Sequence, residues 1–175
     1  MNKNMKFLKV ISILFIFFGF FPYDNLSSAE VKNPKDYKVL STTNKKLSIA
    51  NVEYYLKQGD KLIKNGNFDK AKDFYIDARN LATQLASFYS DLNKAFIGVD
   101  ARIPNEMQQK GKATLQILAE SNARLASLYI KNDKPDVAVP LLIETIRIMS
   151  PESPEGKEAY NTLMQLGFVE TIYKG

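Results

Sequence analysis

From residue 47 onward, apolar side chains return every three or four positions, which is the spacing of one face of an α-helix. Val52, Tyr55, Leu56, Gly59, Leu62 and Ile63 give a first helix, with Lys57, Lys61 and Lys64 between them. Asn65-Gly66-Asn67 is expected to end it, because Gly and Asn accept the left-handed backbone common at helix C-termini. A second stripe, from Ala71 through Phe74, Ala78, Leu81, Leu85 and Leu92, holds for about six turns and predicts residues 68–94 as the longest helix. The period breaks over FIGVDARIP, residues 96–104, a loop apolar enough to be expected to fold back on the core. Asn105 reads as an N-cap with Gln108 as its reciprocal partner, opening a third helix with the stripe Leu115, Leu118, Asn122, Leu125 and Tyr129.

Pro135 suits the first position of a fourth helix ending near Met149, in which Pro140 implies either a bend or a late start. Two successive Ser-Pro pairs in SPESPEG offer starts for a short fifth helix, carrying Ala159, Tyr160, Leu163 and Met164 and stopping at Gly167. The apolar tail Phe168-Val169 and Ile172-Tyr173 is expected to dock. No alternating strand pattern is found, so the fold class is all-α, about five helices in antiparallel hairpins.

The N-terminus follows another pattern. Lys3, Lys6 and Lys9 precede the apolar run VISILFIFFGFF, and Ser27-Ser28-Ala29 supplies small residues at a cleavage point. This is the order of a secretory signal peptide over residues 1–29, and a run of about 12 residues is short of the roughly 20 that cross a bilayer. The expectation is export, to the periplasm or another extracytoplasmic space (a thylakoid lumen in a phototroph), with the membrane met only during passage. An uncleaved anchor is the alternative. Residues 30–46, with Pro34 and no sustained period, read as a flexible arm, leaving 47–175 as the helical domain.

Composition narrows the chemistry. Among 175 residues there is no Cys and no His, which removes thiol chemistry, the commonest general base and the commonest transition-metal ligand. The formal charge is +5, and Lys3, Lys6, Lys9 and Asp24 of the leader account for two of those charges, so nothing points to nucleic acid. Asp69, Asp73 and Asp77 fall on one helix face and suit the helix N-terminus better than a metal ion, which one straight face cannot surround. Asp100 and Arg102 are expected to pair in their loop. With no phosphate loop, nucleophile elbow or paired-carboxylate motif, neither a catalytic residue nor a cofactor is expected.

The segment YYLKQGDKLIKNGNFDKAKDFYIDARNL, residues 54–81, resembles the tetratricopeptide repeat, a helix–turn–helix of about 34 residues. Gly59 stands at the small position of the first helix, Gly66 and Phe68 at the turn, and Ala71, Tyr75 and Ala78 in the second helix. Gly59 and Ala71 leave room where the helices cross, and Phe68 and Tyr75 fill the flanking gaps. Residues 125–151 are similar more loosely, through Ala126, Tyr129 and Ala138, with Asp133, Pro135 and Thr145 replacing the turn Gly, the turn aromatic and the last Ala. The resemblance implies an α–α superhelix and a scaffold or adaptor that binds a protein or peptide along the first helix of each pair. Tyr54, Lys57, Lys61, Lys64 and Asn122 are the candidate contacts, against the plainer reading of a solvated lysine face and a structural Asn. A family subclass grips carboxylate termini through an Asn just after the small residue; Asp60 stands there, so no such clamp is expected. The rival reading is a bundle that holds a small apolar ligand or a carboxylate-based enzymatic site.

Overall fold

The computed structural model describes residues 46–174, and in them the chain is all-helical. The leader expected over residues 1–29, and all but Lys46 of the arm expected over 30–46, lie outside the described residues. Five helices follow one another: α1 Ile49–Lys64, α2 Phe68–Phe96, α3 Arg102–Lys131, α4 Pro135–Met149 and α5 Pro154–Gln165. Each packs on the next, and α1 also meets α3. None is long and apolar enough to cross a membrane.

Local chemistry sets the boundaries. Ser48 caps α1 by accepting from the Asn51 N–H at 3.2 Å, and Ser153 caps α5 by accepting from the Gly156 N–H at 2.9 Å. Of the two Ser-Pro starts, the second is the one used. Three helices end alike. In α1, the Asn67 N–H donates to the Leu62 carbonyl at 2.9 Å and that of Gly66 to Ile63 at 3.0 Å, with Gly66 at φ +74°. The same pair of bonds ends α3 around Asp133 (φ +57°) and α5 around Gly167 (φ +78°). This C-terminal motif satisfies carbonyls the last turn leaves free and turns the chain sharply.

The core joins Val52 and Leu56 of α1 to Tyr75 and Leu85 of α2, Leu118 and Leu125 of α3, Leu142 of α4 and Leu163 of α5. Ala71, Ala78, Ala126 and Ala138 are at most 1% exposed, so small residues sit where helices approach closely. Gly59 has its own reason to be glycine: a Cβ there would overlap the Tyr75 ring.

Several sequence expectations change. α3 starts at Arg102, so Asn105 lies inside its first turn, and the Arg102 N–H is met by the Asp100 carboxylate at 2.9 Å. Pro104 fits because the first helical N–H groups have no partner within the helix. With this early start α3 has 30 residues against 29 in α2, and is the longer. The link between them does not fold back: Ile97 is 64% and Val99 76% exposed. It is the far tip of two helices of roughly 45 Å at 1.5 Å per residue, and the buried residues of α2 end at Leu85. α4 is continuous from Pro135, so Pro140 does not delay it. In the tail, Val169 packs on the core and the Tyr160 hydroxyl donates to the Thr171 carbonyl at 2.7 Å, while Phe168 and Ile172 stay exposed.

Candidate functional site

The face shared by α1, α3 and α5 carries three adjoining clefts, each of roughly 300 Å3, and all three are lined by Arg124. The first, about 280 Å3, lies between α3 and α5 over a floor of Ala126, Leu142 and Ala159. The second, about 270 Å3, lies by Ile63, Tyr75 and Lys131, and shares Ala123 and Ser127 with the first. The third, about 300 Å3, separates α1 from α3 between Lys57, Asp60 and Glu120. Shared residues make them one groove. It opens to solvent, since Lys57, Glu120, Ala123, Ser127 and Glu158 on its walls are exposed.

Register brings these residues together. Lys57, Arg124 and Glu158 each stand nine positions before the left-handed residue that ends their helix, Gly66, Asp133 or Gly167. The equivalent place on α1, α3 and α5 thus faces the groove each time.

At its centre the Tyr75 hydroxyl donates to Asp60 Oδ1 at 2.7 Å, and Arg124 Nε donates to the same oxygen at 3.2 Å. The other arm of Arg124 reaches Glu120 at 3.3 Å. Burial first, then the hydrogen bond and negative charge of Asp60, push the Tyr75 hydroxyl well above its ordinary pKa, against a smaller opposing pull from Arg124. The ring is therefore a neutral donor at physiological pH, and Asp60 is anchored by it. Farther along, Gln116 Nε2 donates to Glu155 Oε1 at 2.6 Å and holds that carboxyl below the usual range.

The sequence candidates divide. Lys57 lines the groove. Lys61 and Lys64 are exposed in the last turn of α1, where cations suit the helix C-terminus, but line none of the three clefts. Tyr54 is 53% exposed and leans on Tyr55, whose ring meets Phe74 of α2. Asn122 is not a surface contact at all. It is fully buried, accepting from Arg79 Nε at 2.9 Å and donating to Glu144 Oε2 at 3.1 Å. Arg79 closes that triangle on Glu144 at 2.7 Å, tying α2, α3 and α4 together away from the groove. Of the residues assigned to packing, Gly59, Ala71, Tyr75, Ala78, Ala126 and Ala138 are buried, Phe68 and Tyr129 are half-buried against the core, and Gly66 is exposed in its turn.

Helical phase does not mark Arg124, Glu120, Ser127, Glu155 and Glu158 as groove residues, although for Arg124 and Glu158 the distance from the helix end carries the signal. Asp100 and Arg102 pair as expected, at 2.6 Å. Asp69, Asp73 and Asp77 are exposed on α2, and no cluster of carboxylates suited to a metal ion occurs among the described residues. The chain matches no protein-family model and no curated protein.

Proposed function

We propose that the chain is a tetratricopeptide-like scaffold that binds a protein or peptide partner in the groove of α1, α3 and α5. The observation that carries this is the recurrence of one register on three alternate helices, all facing one continuous groove. Asp133 and Gly167 are 34 positions apart, the length of one such repeat, and Gly66 and Asp133 are 67 apart, close to two. On this reading the long α2 and α3 occupy the span of a missing hairpin. A groove with backbone-rigid walls and spaced charges suits an extended or helical segment.

The rival reading, an enclosed ligand or enzymatic site, needs a closed cavity with convergent polar groups. The clefts here are walled by exposed residues, and among the described residues no buried side-chain polar atom lacks a hydrogen-bond partner.

The test is capture of partners from the native cell by the full chain, in parallel with Arg124→Glu. The expected result is protein partners retained by the wild type and lost by a variant of unchanged helicity. Retention of the same partners by the variant, or a co-purifying small molecule without protein, would overturn the reading.

A further inference from the structure

We propose that the cleft between α3 and α5 selects partner segments carrying a lysine or arginine side chain. The inference rests on the groove being the partner-binding face and names the chemistry it reads. The cleft floor is apolar, with the small residues Ala119 and Ala126 at 1% and Ala159 at 4% exposed beside Leu142. Its volume of about 280 Å3 falls just under the roughly 300–1,000 Å3 usual for small-molecule pockets and admits one long side chain.

The rim carries Glu120, Glu155 and Glu158 against one cation, Arg124. Arg124 is already committed to Asp60 and Glu120. Glu155 is met by neutral donors alone, the Gln116 amide, its own backbone N–H and Ser153, which orient its carboxylate without cancelling the charge. Glu158 stands exposed one helical turn along. The cleft is thus locally acidic in a chain of net charge +5. A basic side chain meets both halves of this surface: its methylene stem lies on the alanines and its charged head reaches the carboxylates. An acidic side chain would meet like charge, and an apolar one would leave the rim unanswered.

A displayed random-peptide library panned on the full chain tests this. Lys or Arg is expected to be enriched at one position of the selected peptides. In a synthetic selected peptide, replacing that residue by Gln should weaken binding. Glu155→Gln and Glu158→Gln should each weaken the parent peptide by up to about 5-fold, less at high salt. In Glu155→Lys/Glu158→Lys the preference should turn toward a peptide carrying Glu at that position. Glu158 is exposed and Glu155 half-buried, and circular dichroism checks that each variant is folded. Selected peptides without basic enrichment, or basic peptides bound equally by all variants, would overturn the inference and leave the groove reading standing. A library with no binder sensitive to Arg124→Glu would overturn both.

Discussion

Two polar ties of similar composition cross this helical stack, and they face opposite ways. On one side Arg79, Asn122 and Glu144 link α2, α3 and α4; on the other Arg124, Asp60 and Tyr75 link α3, α1 and α2. Each is an arginine, a carboxylate and a third polar group. The first centres on Asn122, wholly buried with both ends of its amide engaged, while its partly exposed Arg79 and Glu144 line none of the three clefts. The second is open, because Arg124 lines all of them. Residue type does not separate a structural tie from a binding surface; the space the tie faces does.

Breaking the first tie should cost most. Asn122→Leu removes a buried bridge and strips Arg79 and Glu144 of one partner each, with an expected loss of about 2–3 kcal/mol in urea unfolding. Partner binding by the folded fraction should be unchanged. A loss below about 0.5 kcal/mol would mean that Asn122 is not what holds α3 to its neighbours on this side.

Gly59→Ala attacks the open tie without touching a polar group. The new methyl displaces the Tyr75 ring, and overpacking of this kind costs roughly 1–3 kcal/mol, offset by up to about 1 kcal/mol of helix propensity. A lower melting temperature together with weakened partner binding is the expected pair of results.

Tyr75→Phe is milder, about 1 kcal/mol for one hydrogen bond, and carries a pH signature. The folded-state pKa of Tyr75 is raised above its ordinary value of 10.0. Below that pH both states hold the proton and the stabilisation is full. As pH rises beyond it, the unfolded chain releases the proton while the folded chain keeps it, so stability falls. Wild type should therefore lose stability above pH ~10 more steeply than Tyr75→Phe, measured by denaturant midpoints across that range. Parallel curves would contradict the assigned donor role.

Arg124→Gln should change stability least, by at most about 1 kcal/mol, because its ion pairs are half-exposed. Its effect is expected on binding.

Much of the architecture is legible in the sequence. The apolar stripes, Gly66, Pro135 and Ser153-Pro154 locate helices and turns through local chemistry that tertiary packing does not override. The start of α3 was hidden because Asn105 and Gln108 form a good capping pair on paper, while the group that meets the first N–H is Asp100, outside that pattern. The tip at Ile97 and Val99 misled because apolar composition says nothing about whether a neighbour is within reach. The groove was half legible. Helical phase marks Lys57, but Asn122 stands out only as a polar residue on an apolar stripe, which is also the position of a buried tie. Arg124, between Ala123 and Leu125, looks like any solvated helix cation until its distance from Asp133 is set beside that of Lys57 from Gly66.

The central claim is that the groove, and not the outer face, meets the partner. Site-specific photo-crosslinking in the native cell tests it, with the reactive group placed in turn at Ala123 and Ser127 in the groove and at Asn80 and Gln84 on exposed positions of α2. The account predicts discrete protein adducts from the groove positions and none from α2, and loss of the groove adducts on Arg124→Glu. Adducts from α2 alone, or groove adducts indifferent to Arg124, would contradict it.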